Sequence, residues 1–356
     1  MPHPFPYIRI EGSPHERGIA YGRQAAERIG VGLALYRELF QAYAGMTWEE
    51  AVKRAGLFEA SIEAYLPETL EEMRGIAEGA GVSYGDILAL NCRSELMFAL
   101  ADGCTSVVIP PDSTRDGKTY IAQTWDWLKP AHGAGIILEV RQDPLPALLM
   151  VCEAGMVGGK GVNSAGLGCG LNALGIGRGQ VGVPLHVLYR GIMNSAKISD
   201  AIETVAKAPR AGCGNFSMGS AEGVVLHLEF TPENFDVLMP DAGSMAHANA
   251  YLSPLFIAED KLKISFPCSY PRRFRAQKLV NRLEGEFTGK LICETVLSDH
   301  VNFPDSICSH EDPRDERWSR FCTVYGIVMD LAGRTLLVSA ANPCEGNWEE
   351  FRLPDK

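Results

Sequence analysis

The chain has 356 residues, 46% of them hydrophobic and 22% charged, with a formal net charge of −11. That composition belongs to a globular chain able to bury a large core. The acidic balance argues against a nucleic-acid binder, which needs a basic field, and no run approaches the roughly 18 apolar residues of a membrane span.

Tyr7 to Ile10 reads as a short strand. Ser13-Pro14-His15-Glu16 then combines a capping box with Pro at the first helical position, so a helix starts there. Ile19, Gly22, Ala26, Ile29, Leu33, Tyr36 and Phe40 step by three and four along a helix of nearly thirty residues. Thr47-Trp48-Glu49-Glu50 is a second capping box. A third helix follows Pro67 and stops at Gly81, and Ser83 to Asp86 caps a fourth. The first hundred residues are expected to be helical.

The grammar changes at Asp102-Gly103-Cys104-Thr105-Ser106. Val107 to Ile109 and Tyr120 to Trp125 read as strands of a long-looped hairpin, which brings Asp126 roughly opposite Cys104. Further strands are expected at Ile136 to Arg141, Ala147 to Cys152, Phe216, Val224 to Phe230 and Phe235 to Leu238, with helices at Pro184 to Met193 and Ile198 to Ala206. Pro271 to Leu283 is a helix carrying Arg272, Arg273, Arg275, Lys278 and Arg282, either a solvated face or a docking patch for an anionic substrate portion. A last hairpin pairs Cys322 to Met329 with Arg334 to Ser339. With no linker or repeat, one domain over 1–356 is the simplest organisation.

Gly177-Arg178-Gly179-Gln180-Val181-Gly182 fits the dinucleotide pattern in letters only. No strand leads straight into it within a βαβ unit, so these glycines are read as turn and packing residues. The ten cysteines are dispersed and no secretory leader precedes them, so reduced thiols and a cytoplasmic location are expected. No two cysteines stand two to four apart and there is no HExxH, which excludes the usual zinc signatures and leaves open only a site built from distant residues; no metal and no cofactor are expected.

Gly103-Cys104 has the pieces of a self-cleaving junction. A Cys at a new N-terminus carries its own base, because a free α-amine titrates at about 7.7 to 8.0. Taken by itself, Cys104 reads rather as a buried core cysteine. A papain-type thiol with His247 or His300 as its partner, and a protein retained for binding, are the competing readings.

Glu72-Met73-Arg74-Gly75-Ile76-Ala77-Glu78-Gly79, Asp102-Gly103-Cys104-Thr105, Trp125-Asp126, Glu153-Ala154-Gly155, Asn163-Ser164-Ala165-Gly166, Leu228-Glu229-Phe230, Ser306-Ile307-Cys308 and Ser319-Arg320 occur in an order that resembles the acyl-coenzyme A:isopenicillin N (6-aminopenicillanate) acyltransferases. These are a cysteine-type branch of the N-terminal-nucleophile hydrolases. The resemblance implies an α+β fold, a four-layer αββα sandwich made as a self-cleaving precursor. It implies a cut between Gly103 and Cys104, giving a helical chain of residues 1–103 and a stranded chain of residues 104–356 that stay associated. Cys104 falls on the nucleophile, Asp126 on the Asp near the freed amine, Asn249 on an oxyanion-hole Asn and Arg320 on an active-site Arg. Ser319 matches a family serine and, with Arg272 and Arg273, is assigned to substrate binding. Ala250, Ser309 and Thr231 depart from the family pattern, which leaves the substrate open. The implied partner is a small amide or acyl-thioester, hydrolysed or passed to an amine, with no nucleic acid and no membrane.

Overall fold

The computed structural model describes residues 3–97 and 103–354. Asp102, the first residue of the expected junction, lies outside them. Among the described residues, six α-helices lie between the first strand and the rest of the sheets: α1 Pro14–Ala44, α2 Trp48–Ala55, α3 Glu59–Tyr65, α4 Glu68–Ala80, α5 Tyr84–Asn91 and α6 Arg93–Leu96. The capping boxes at Ser13, Thr47 and Ser83 all form, and Gly45 and Gly81 end α1 and α4 in the left-handed conformation.

Helices α1 and α4 cross unusually closely. A Cβ added at Gly18 would lie 2.3 Å from the Glu72 carbonyl oxygen, and one at Gly75 would lie 2.3 Å from that of His15. The missing side chains let the two backbones touch. Beside the crossing, buried Glu72 accepts from Arg17 at 2.6 Å and from both terminal nitrogens of Arg190 at 3.0 Å. A buried carboxylate is tolerated when charged donors surround it, and these two hold it below the usual carboxylate range despite burial. The Glu72-Met73-Arg74-Gly75 stretch is therefore a helix-packing element.

Two sheets carry the remaining mass. One runs in the order β1 (Tyr7–Ile10), β4 (Gly135–Val140), β5 (Leu148–Glu153), β6 (Lys160–Asn163), β7 (Leu167–Asn172), β8 (Gly214–Ser220), β9 (Val225–Phe230), β10 (Phe235–Leu238). Only its β1–β4 pair is parallel. The other, wholly antiparallel, runs β11 (Met245–His247), β2 (Gly103–Ile109), β3 (Tyr120–Leu128), β12 (Phe321–Asp330), β13 (Thr335–Ser339), β14 (Trp348–Arg352).

The sheets face each other through β2 and β3 against β7 and β8. Helices α1, α7 (Leu185–Met193) and α8 (Ile198–Lys207) cover the outer face of the first, while α10 (Ser269–Arg282), which follows the single turn α9 (Leu262–Ser265), covers the second. The expected four-layer αββα stack is what the chain forms.

Glycines of the rich stretch serve the sheet interface. A Cβ at Gly168 would lie 2.3 Å from Leu331, and one at Gly170 2.6 Å from the Gln123 amide oxygen. That oxygen accepts from Leu171 N–H at 2.9 Å, so a buried amide ties the two sheets together. The GxGxxG stretch is loop: Gly177 has φ +74°, and a Cβ at Gly182 would meet the Pro209 carbonyl oxygen at 2.2 Å. No strand runs into it, which agrees with reading it as turn and packing glycines.

Candidate active site

The side-chain alternation of β2 sorts the site. Cys104 and Val108 belong to the core between the sheets, Ser106 bonds across that core to Asn172 at 2.7 Å, and Val107 and Ile109 join the cluster under α10. The Cys104 side chain therefore faces the gap between the sheets. On β3 the same rule puts Trp125 and Trp127 in that gap and Asp126 on the α10 side.

Register refines the expected juxtaposition. Gly103 pairs with Asp126, and Cys104 pairs with Trp125. Asp126 stands against the residue before Cys104, so close that a Cβ on Gly103 would lie 2.9 Å from its Cβ and 3.2 Å from its Oδ2. The Asp126 carboxylate accepts from Thr323 Oγ1 at 2.6 Å and has the Arg272 guanidinium 3.9 Å away. Thr323 is freed for this by a bulge, since Thr323 pairs with Asp126 and Tyr325 with Trp125, leaving Val324 unmatched. Sequence reasoning missed Thr323, because a bulge leaves no mark in an alternating strand.

Asn249 arrives from the edge strand. His247 pairs with Ser106, and continuing that antiparallel register by two residues brings Asn249 beside Cys104. Its Oδ1 accepts from Cys104 N–H at 2.8 Å and from Arg272 Nη2 at 2.9 Å, while its Nδ2 donates to the Ala173 carbonyl at 3.0 Å. Two donors on one side fix which end of the amide is oxygen.

Arg272 lies elsewhere than the helix pattern suggested. It is buried, with Nη1 donating to the Cys104 carbonyl at 2.7 Å and to Thr105 Oγ1 at 2.8 Å. Burial acts to lower its pKa, but neighbouring Cys268 and Asp126 outweigh this and raise it, so the cation persists. Arg273 is half-buried on the Ala246 carbonyl, and Arg275 pairs with Asp299 at 2.7 Å. Lys278 and Arg282 alone of the five point to solvent, so the helix presents no continuous basic patch.

Ser319 and Arg320 stay at the surface. Arg320 donates to the carbonyls of Asp315 and Pro313, and Ser319 lines a groove with Cys268, Pro271 and Phe321. The structure thus brings Cys104, Asp126, Asn249 and Arg272 together and leaves Ser319 and Arg320 apart from them. His247 is fully engaged, Nε2 with Glu229 and Nδ1 with the Ala248 carbonyl, each at 2.7 Å. The thiol–histidine reading gains no partner from it.

Between the sheets, two adjoining cavities share Arg93, Lys160, Leu171 and His186. Trp125, the neighbour of Cys104, lines the smaller. Lys160, only 7% exposed, donates to the Tyr325 hydroxyl at 3.2 Å and lies 5.3 Å from the Trp125 ring centre. Burial raises Glu95 to about 7, against the pull of the Leu185 N–H and Arg93. Burial and then the charge of Arg93 lower His186 to about 3, so it is a neutral ring at working pH. The cavity combines an apolar wall with a few convergent polar groups, the usual form of a small-molecule site. None of the ten cysteines is in a disulfide, and no helix among the described residues is long and apolar enough to cross a membrane.

Similarity to known proteins spans most of the chain. The family model described as AAT, acyl-coenzyme A:6-aminopenicillanic acid acyl-transferase, matches residues 113–345. The chain is similar to the acyl-coenzyme A:6-aminopenicillanic-acid-acyltransferase 40 kDa form of Emericella nidulans, 29% identical over 343 residues that cover 95% of this chain and 93% of that one. Among solved structures it resembles a penicillin V acylase from Agrobacterium tumefaciens, at TM-score 0.46 and 13% identity over 67% of this chain and 83% of the other. A conjugated bile acid hydrolase variant from Clostridium perfringens gives TM-score 0.43 and 11% identity over 70% and 97%.

Proposed function

The chain belongs to the acyl-coenzyme A:6-aminopenicillanic acid acyl-transferase family of enzymes, and from that premise we propose that it cuts itself between Gly103 and Cys104 and then processes N-acyl amides through a thioester on Cys104. The observation that carries the reading is the set of contacts around one residue. The Cys104 N–H is held by Asn249, its carbonyl by Arg272, and the glycine before it lies against Asp126.

The first reaction is an N-to-S acyl shift. The Cys104 thiolate attacks the Gly103 carbonyl carbon, the C–N bond breaks, and the Cys104 nitrogen takes a proton. Water then hydrolyses the thioester, leaving a Gly103 carboxylate and a Cys104 with free amine and thiol. Asp126 is placed to steer the proton and then hold the ammonium, and a neighbouring cation favours the thiolate. The two resulting chains, residues 1–103 and 104–356, remain together because Arg190 of the second already bonds Glu72 of the first across the cut, within the shared core.

In turnover the same thiol attacks a substrate acyl carbon, the amine leaves with a proton, and a second nucleophile takes the acyl group. Asn249 is the proposed oxyanion donor and the cavity beside Trp125 the proposed acyl or amine pocket. We favour water as the main acceptor. The second reading, transfer from acyl-coenzyme A to an amine such as 6-aminopenicillanate, is suggested by what the Emericella nidulans relative is named for. No continuous basic patch on α10 supports coenzyme A docking there.

The deciding experiment joins mass spectrometry to an assay. Purified chain should yield a second N-terminus starting at Cys104, Cys104→Ala should stay whole, and alkylation of Cys104 should abolish turnover of an N-acyl amide panel. A wild-type chain that stays intact on long incubation ends the self-cutting proposal. Faster transfer from coenzyme A to 6-aminopenicillanate than hydrolysis reverses the choice of acceptor.

A further inference from the structure

Four side chains from three separate turns of the chain meet beside the second sheet. His300 follows the π-helical turn Ile292–Leu297, Cys308 and His310 lie on the loop leading to β12, and Cys344 lies on the short turn between β13 and β14. One ligand atom from each falls within 4.8 Å of all the others. His300 Nε2 and His310 Nε2 are 3.1 Å apart, and His310 Nε2 is 3.7 Å from the sulfur of Cys308 and 3.7 Å from that of Cys344.

The three separations from the His310 nitrogen, 3.1, 3.7 and 3.7 Å, are close to those of a tetrahedron around a metal. Zinc bound at about 2.0 to 2.1 Å to nitrogen and about 2.3 Å to sulfur places ligand atoms roughly 3.3 to 3.8 Å from one another. Two thiolates and two imidazoles form a closed four-ligand set that favours zinc over harder cations, and the two thiolates balance its charge.

We propose that His300, Cys308, His310 and Cys344 bind one structural zinc ion. The ion would staple the loop of residues 298–310 to the β13–β14 connection. Around it, Asn342 Nδ2 donates to the Ser309 carbonyl at 2.6 Å and approaches the Cys308 sulfur at 3.7 Å, the outer contacts that orient such ligands. Ser309, between two of the ligands, exchanges bonds with Thr323: its N–H donates to Oγ1 at 2.9 Å and its carbonyl accepts from Thr323 N–H at 2.9 Å. Thr323 then donates to Asp126. A zinc ion here therefore braces the residue that supports the Asp126 carboxylate. The spacing 300, 308, 310, 344 fits no linear zinc signature, which is why the sequence reading expects no metal.

The test uses the full chain, purified without a histidine tag. Metal analysis should find about one zinc per chain after desalting, falling below about 0.2 in Cys344→Ser and His310→Ala but unchanged in Cys322→Ser. Cobalt exchanged into the wild type should give the intense visible bands of a tetrahedral thiolate site, and a chelator should lower its Tm by several degrees while leaving that of Cys344→Ser unmoved. Cys344 is exposed, so its serine variant is expected to fold. Wild-type chain that stays metal-free after incubation with zinc and desalting overturns the proposal. So does an intact mass two daltons low with Cys308 joined to Cys344, which would make the cluster a disulfide.

Discussion

The Asp126 carboxylate lies so close to Gly103 that a single added methyl group would overlap it, at 2.9 Å from the Asp126 Cβ. The residue before Cys104 is thus sized by its neighbour across the strand pair. Gly103→Ala should push Asp126 by a few tenths of an ångström and disturb its bond to Thr323. We expect self-cutting to slow by tenfold or more, a barrier change of about 1.4 kcal/mol, with little loss of stability. A gel time course of the purified variant measures this; cutting at the wild-type rate would remove Asp126 from the reaction.

Arg272 is the hub of the site, donating to the Cys104 carbonyl, Thr105 and Asn249. Arg272→Met removes the charge and leaves three buried acceptors short of a donor, which costs about 3 to 5 kcal/mol. Arg272→Lys keeps the charge but not the fork, so it should recover folding and only some of the turnover. Denaturant melts paired with turnover rates separate the two losses. If Arg272→Met melts with the wild type, the guanidinium is not the brace described above.

Much of this is legible in the chain. Capping boxes and three-four spacing mark the helices because they are local, and the hairpin turn places Asp126 near Cys104. The one-residue refinement of that pairing is set by the whole sheet. In sequence Arg272 is one of five basic residues on a solvated helix, and only tertiary packing turns it inward. Thr323 depends on a bulge, and the His300, Cys308, His310 and Cys344 cluster depends on three separate turns converging. Each of these is a long-range arrangement with no periodic signature. The glycines beyond residue 155 read as packing residues from composition, yet which backbone each one admits is decided by the opposing sheet.

Glu95 gives a pH test of the cavity. Its carboxyl is raised to about 7 from an ordinary value of 4.5, chiefly by burial, and its Oε2 finds no partner. The folded chain therefore binds more protons than the unfolded one between those two values. Stability from this group is greatest below about 4.5 and is lost as pH rises through 7, by an amount on the order of 3 kcal/mol. Glu95→Gln should flatten that stretch of the pH–stability curve and gain relative stability above pH 7. Chemical denaturation at pH 5 and pH 8 measures the difference, and parallel curves for the two proteins would show that Glu95 ionises normally.

Asn249 has two ends with different proposed duties, and substitution can separate them. Its oxygen accepts from Cys104 N–H and Arg272, while its nitrogen donates to Ala173. Asn249→Asp keeps the acceptor, and the new charge sits beside the Arg272 cation, so the variant should fold and cut. It loses the N–H that an oxyanion needs. Turnover by processed Asn249→Asp should drop by about 10² to 10³, mostly in kcat, because the donor matters most when charge develops in the transition state. Asn249→Ala loses both ends and should also cut slowly, since the Cys104 N–H is then left without its acceptor. Steady-state kinetics on chains confirmed as processed by mass spectrometry distinguish the cases. Wild-type kcat in processed Asn249→Asp would confine this side chain to positioning Cys104 and move the oxyanion donor elsewhere.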